Sequence, residues 1–306
     1  MKVTPSFLIT TLARTDITRI TGELYDLQRQ TASGYLSDDL KGYAFDAGRL
    51  ISARSVIDQT EARKVAAQRL QARVDIQDLA LDKAAAAMAQ LKTDVMTAIS
   101  SDNAQFLSQQ VQTAFNQVIG ALNQSYEGQP LFAGERRGVS AIQVASLVDL
   151  PAAVTDAQVF NESVRDYSVE LGMGAPFVVA EKASTISRDA FDALRALYNE
   201  VMAGTTGSPI NAAQRTSLSG IVSQIEAGRA SIVAAQGRNG DANARLGREI
   251  ERLTAQTTLV TNHLDQVAGS DLAEVAMKMS TTQTQYQAIA SVFNDIRNLT
   301  LVNFLD

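Results

Sequence analysis

The chain has 306 residues, of which 45% are hydrophobic and 20% charged, enough to pack a core and too apolar for general disorder. A net charge of −6 and a pI near 5.0 argue against a broad nucleic-acid or anionic-membrane surface. The absence of Cys excludes disulfides, thiolate zinc sites and cysteine catalysis, and a Ser-His-Asp triad would hang on the single histidine, His263.

The five prolines are Pro5, Pro130, Pro151, Pro176 and Pro209. None falls between 6 and 129, or between 210 and 306. Proline costs a helix interior about 3 kcal/mol, so these spans permit long helices. The placement predicts two helical arms around an irregular middle.

The first arm opens on Ala13, Ile17, Ile20, Leu24, Leu27 and Thr31, spaced four and three residues apart like a coiled-coil seam. Gly34 predicts the end of that helix, and Ser37-Asp38-Asp39 a cap for the next one. Residues 47–100 carry a weaker stripe: Val65, Ala72, Ile76 and Leu79, then Leu91, Val95 and Ile99. Asp102-Asn103 reads as a cap, and a further helix bears Leu107, Val111, Ala114, Val118 and Leu122.

The middle, 135–182, predicts β structure. Tyr167, Val169 and Leu171 alternate with Ser168 and Glu170, and Ile142 and Val144 alternate likewise. Phe177-Val178-Val179 comes after a Gly172-Met173-Gly174 turn. So small a region leans on the helices for its core.

The second arm begins with Phe191, Leu194, Tyr198 and Val201, broken at Gly204–Pro209. Leu218, Ile221, Ile225 and Ile232 form the next stripe, loosened by Gly220 and Gly228. A helix over 241–269, about 44 Å long, is predicted from Leu246, Ile250, Leu253, Thr257, Val260, Leu264 and Val267. The final stripe is Leu272, Val275, Met279, Thr282, Tyr286, Ile289, Phe293 and Ile296. Both ends of the chain thus carry seams that need an apolar partner, and the simplest solution pairs the first helix with the last. Over 270–306 only Asp271, Glu274, Lys278, Asp295, Arg297 and Asp306 are charged. So sparse a charge predicts either a core helix of a monomeric bundle or, on the sharper reading, a helix that packs against other subunits.

No spacing calls for catalysis. His263 sits beside a seam position and reads as a solvent-facing helix residue. Gly172-Met173-Gly174 lacks the third glycine of a dinucleotide fingerprint, because position 177 is Phe. Ser37-Asp38-Asp39 reads as a helix cap rather than a metal cluster, and Arg136-Arg137 is too short for a nucleic-acid patch. No catalytic, metal or cofactor site is predicted, and the chain is read as a non-enzyme. The longest apolar runs, about five residues, fall far short of the ~20 that cross a bilayer. Met1-Lys2-Val3-Thr4-Pro5 does not open a cleaved signal peptide. The expected fold class is mainly α: an elongated helical bundle or coiled coil formed by the amino- and carboxy-terminal arms, with a small central β-rich insert.

Several stretches resemble the bacterial flagellin family. Ser6-Phe7-Leu8, with Leu24-Tyr25-Asp26-Leu27-Gln28-Arg29-Gln30-Thr31-Ala32-Ser33-Gly34, resembles its amino-terminal helix and the Q-x-A-S-G ending. Tyr286-Gln287-Ala288 and Asn298-Leu299-Thr300-Leu301-Val302-Asn303-Phe304-Leu305 resemble its carboxy-terminal motif. Tyr126-Glu127-Gly128-Gln129-Pro130-Leu131-Phe132-Ala133-Gly134 is similar to an element of the branch that joins hook to filament. Tyr35–Gly42 departs from the family by being compressed and lacking a proline.

The resemblance implies three parts. Residues 1–46 and 270–306 would form an inner terminal coiled coil, 47–134 and 183–269 a helical rod, and 135–182 a small β-rich insert. It implies a structural protein of the flagellum joining hook to filament, with flagellin, the filament subunit itself, as the alternative. The assembly interface would use Ile17, Ile20, Leu24, Leu27, Tyr286, Ile289, Phe293, Ile296, Leu301 and Phe304. Implied partners are copies of the chain in a ring or helical layer, another hook-associated protein on the hook side, flagellin on the filament side, and a cytoplasmic export chaperone. Nucleic acid, membrane insertion and cofactors are not expected. The place implied is the extracellular flagellum, reached through type III export without a cleaved signal peptide.

Overall fold

Long runs of Ala, Gln, Leu and Arg without proline favour helix, and helices dominate. The computed structural model describes residues 5–172, 176–179, 181–202 and 209–302. The chain divides into two units, a terminal one (Met1–Thr60 with Ala255–Asp306) and a central one (Glu61–Thr254).

The terminal unit holds α1 (Pro5–Ser33), the start of α2 (Ala47–Ser101), the end of α6 (Ala212–Ala268) and α7 (Leu272–Val302). Helix α1 stops at Gly34, whose φ of +75° suits a residue without a Cβ; its N–H still donates to Gln30 O at 2.8 Å. The chain then pairs antiparallel with the α6–α7 junction. Tyr35 lies opposite Gly269, Leu36 N–H donates to Ala268 O (2.9 Å), and Ser270 N–H donates to Gly34 O (2.9 Å). Asp271 starts α7, its carboxylate accepting from the Ala273 and Glu274 amides. Between α1 and α2, Asp39 caps a 3-10 turn over Leu40–Asp46 by accepting from Gly42 N–H (3.0 Å). Tyr43 anchors that turn: it is buried with Leu50 and Ala268, and its hydroxyl donates to Ser37 O at 2.7 Å.

The central unit is built on α2, α3 (Leu107–Leu122), α5 (Ala183–Glu200) and α6, with a short helix α4 (Asp156–Val159). The large core gathers Leu81, Met88, Phe115, Phe132, Phe160, Phe191, Leu194 and Ile225. Phe191 meets both Phe115 (6.4 Å) and Phe160 (5.7 Å) edge to face, the favoured contact for aromatic quadrupoles. Two hairpins complete the unit. Strands β1 (Ser125–Tyr126) and β2 (Gln129–Pro130) pair antiparallel, as do β3 (Tyr167–Val169) and β4 (Phe177–Val179). A second core joins Ala67, Leu70 and Val74 of α2 with Leu171, Phe177, Val179 and Leu246. The insert therefore does lean on the helices for burial.

The mainly α class with a small β insert is what the structure shows. Three details differ from the sequence reading. Ile142 forms only a single bridge, to Phe160, so its alternation does not make a strand. The β1–β2 hairpin was not anticipated. The stripes at 218–232 and 246–267 lie on one uninterrupted helix, α6, because Gly220, Gly228, Gly237 and Gly240 all keep helical backbone. Asp102-Asn103 is a cap, as expected, and it closes α2: Asp102 adopts a φ of +56° and Asn103 N–H donates back to Ala98 O (3.1 Å). Helix α3 starts after Phe106 with no side-chain cap. The expected break at Gly204–Pro209 lies, apart from Pro209, outside the described residues, as do Met173 and Gly174 of the predicted turn.

Candidate functional site

The first and last helices pack on one another. Their partnership arises from complementary seams. Ile20 and Leu27 of α1 and Val275 and Thr282 of α7 are buried, each large apolar side chain contributing about 1.5–3 kcal/mol. Ile17, Leu24, Ile289 and Phe293 are half-buried, and Tyr286 is exposed. Ile296 and Leu301 belong to α7, but their side chains lie outside the described residues, as does Phe304 entirely.

Ile20 and Leu27, both named as candidate interface residues, are thus already covered inside this chain. A different set faces outward: Leu12 and Tyr25 on α1, Leu259 on α6, and Leu272, Met277 and Val292 on α7. All but Leu272, which opens the final stripe and is exposed at its start, fall off the heptad stripes, which is why the seams did not mark them. Their signal in the sequence was an apolar residue at a position where a two-helix pair needs a polar one. The polar residues between them are mostly Thr, Gln, Ser and Asn, with isolated ion pairs such as Arg19–Glu23 (2.8 Å) and Lys278–Glu274 (2.6 Å). Exposed pairs of that kind contribute about 0–1 kcal/mol. A shallow groove on α7, lined by Glu274, Met277, Lys278, Thr281 and Thr282, adds a concave element.

The Leu40–Asp46 turn presents the most exposed aromatic among the described residues. Phe45 is 101% exposed, while its neighbour Ala44 holds φ +44° and ψ −108°, outside the ordinary range of a residue with a Cβ. Buried Tyr43 and exposed Phe45 therefore point to opposite sides of one strained turn.

Among the described residues, no group of His, Asp and Glu could hold a metal ion, and no helix is long and apolar enough to cross a membrane. His263 lies on an exposed stretch of α6.

Comparison with known proteins finds a family match over the carboxy-terminal region and a shared fold. Residues 222–305 match the model of the bacterial flagellin C-terminal helical region. The fold is shared with a protein described as flagellar hook-associated, from Vibrio parahaemolyticus (14% identity, 76% of this chain and 99% of that one, TM-score 0.59). It is also shared with FlgL of Bacillus cereus (11% identity, 71% of this chain and 99% of that one, TM-score 0.55). No curated protein matches the chain. The resemblance to the flagellin family read from the carboxy-terminal motif agrees with the carboxy-terminal match, and the fold is shared with these two solved structures.

Proposed function

We propose that this chain is a non-enzymatic structural subunit of the bacterial flagellum that joins hook to filament. The observation that carries the reading is the outward apolar set on α1 and α7, in a chain whose carboxy-terminal region matches flagellin. Leu12, Tyr25, Met277 and Val292 would be covered by neighbouring copies, in contacts that repeat head to tail because a helical lattice has no two-fold closure. The terminal helices would make the layer of repeating contacts. One rim of the layer would meet another hook-associated protein and the other rim flagellin. A junction must accept unlike partners above and below, so its surfaces are selected against indefinite self-addition. The likeness of the fold to hook-associated proteins supports this over the filament subunit. In this reading the chain reaches the flagellum by type III export, held before export by a cytoplasmic chaperone.

The test is location and loss. The tagged protein is expected as a single band at the outer end of the hook. Deleting its gene is expected to leave hooks without filaments, with flagellin shed into the medium. Staining along whole filaments, or long homopolymers grown from purified protein, would overturn the junction role.

A further inference from the structure

Beside α2, the central unit holds a cleft. It is a cavity of about 200 Å³ whose walls include Arg69, Arg73, Tyr126, Glu127 and Tyr167. Arg69 and Arg73 stand four residues apart on α2, so they share one face. Arg73 is 3% exposed. Its Nη2 donates to the carbonyls of Pro130 (2.7 Å) and Leu131 (3.0 Å), and its guanidinium lies 4.2 Å from the centre of the Tyr167 ring. Its Nε is buried with no acceptor among the described residues. Neither Arg69 nor Arg73 takes part in an ion pair among those residues.

A guanidinium removed from water without a counter-charge is costly, and folds that keep one normally supply a carboxylate or phosphate for it. Burial accordingly pulls Arg73 below the usual guanidinium pKa. Two carbonyls and an aromatic ring satisfy part of its donor set but not its charge. The neighbouring Arg69 doubles the positive charge on the cleft wall. The cavity lies below the ~300–1,000 Å³ of ordinary small-molecule sites, too small for a nucleotide. Its tyrosines offer flat, partly apolar walls for a short methylene stem. A planar carboxylate matches a guanidinium fork, and Glu127 on the rim disfavours anions of higher charge.

We propose that this cleft binds a carboxylate carried on a short aliphatic stem. An acidic side chain of a neighbouring protein chain and a free small carboxylic acid share that chemistry. Arg73 supplies the buried, unpaired charge of the cleft wall, Arg69 the second charge, and Tyr126 and Tyr167 the flanking rings. The proposal is independent of the junction reading, since it concerns the central unit alone.

The experiment follows the arginine Nε–H signals of the full-length protein by NMR at constant ionic strength. The probes are glutamate blocked at both backbone ends, succinate, inorganic phosphate and sodium chloride. A saturable shift at Arg73 with the carboxylates is expected, weakened about ten-fold or more by Arg69→Gln. Glu127→Gln is expected to keep or tighten binding, because it removes a competing charge. Tighter binding of blocked glutamate assigns the site to a protein side chain, and tighter binding of succinate to a free acid. Linear shifts equal to those with chloride would overturn the proposal. Tighter binding of phosphate than of either carboxylate, or an Arg69→Gln protein that binds as before, would do the same. Arg69 is exposed, so its replacement does not threaten folding.

Discussion

Gly228 of α6 and Ala190 of α5 meet backbone to backbone: a Cβ added at Gly228 would stand 2.6 Å from the Ala190 Cα and 2.7 Å from its N. Two small residues at one crossing let the helices approach closely in the large core. Gly220, two turns earlier on α6, has open space where its Cβ would be. Gly228→Ala is therefore expected to cost about 1–3 kcal/mol through overpacking. Gly220→Ala is expected to stabilise by about 0.5–1 kcal/mol, because helical glycine is entropically unfavourable. Urea denaturation of the two variants checks the opposite signs; equal effects would mean the crossing is not tight.

The Leu131-Phe132-Ala133 stretch that carries a family resemblance is wholly inside the central unit. Phe132 is fully buried, its carbonyl accepts from Ala183 N–H (2.9 Å), and the Leu131 carbonyl accepts from Gln77 Nε2 (2.9 Å). Phe132→Ala should cost about 3–5 kcal/mol by leaving a cavity. Phe106→Ala, at the exposed start of α3, should change stability by no more than about 0.5 kcal/mol. Thermal melts of both proteins distinguish a packing role from a surface motif.

Glu226 sits between two cations, with Arg229 Nη2 at 2.8 Å and Lys92 Nζ at 2.9 Å. Hydrogen bonds from Arg229 first, and from Lys92 second, lower its pKa from the ordinary 4.5 to about 2. A depressed carboxylate pKa stabilises the fold above the unfolded value, and that contribution is lost as pH falls from 4.5 toward 2. The expected NMR titration of its side-chain carboxyl carbon has a midpoint near about 2. Lys92→Met should raise that midpoint while leaving it below 4.5, since Arg229 remains. A midpoint at the ordinary value in the unaltered protein would contradict the triad.

The inward and outward faces of the terminal helices should separate stability from assembly. Ile20→Asp buries an unpaired charge and is expected to strip hydrogen-exchange protection from α1 and α7. Leu253→Asp on α6, also fully buried, is expected to lower the melting temperature strongly. Tyr25→Asp and Met277→Asp, on exposed positions, should leave the monomer's melt unchanged and block incorporation into the flagellum. If the exposed pair unfolded the monomer as well, the outward face would not be free in the single chain.

The two arms were legible because their seams are regular: Leu246 and Leu253 are buried as their spacing demands, and Gly34 stops α1 where it stands in the sequence. The reading of Gly220 and Gly228 as loosening failed because a glycine in a helix has two opposite uses, and only the neighbouring helix shows which applies. Asp102-Asn103 was legible as a cap but not as to which helix it serves, because the same short polar side chains favour helix starts and left-handed helix ends. The β1–β2 hairpin has strands of two residues, too short to show alternation. Arg73 was invisible as a functional residue, since its importance lies in the lack of a charged partner, which spacing does not record. Phe45 was equally hidden: nothing in the order of Tyr43, Ala44 and Phe45 tells which aromatic turns inward.

The pairing of α1 with α7 also governs the order of events as the chain forms. Each helix's partner lies at the other end of the described chain, and all of the central unit is threaded between them. Contacts so remote in sequence bear the full entropy of loop closure, and they form late. The central unit, whose contacts are more local, can condense first and bring the two ends within reach. Until then α1 is an amphipathic segment with nothing to cover Ile20 and Leu27, the state in which a nascent chain is most prone to stick to its fellows. Unregulated aggregation and ordered growth would thus draw on the same helix, and what separates them is whether α7 arrives before another molecule does.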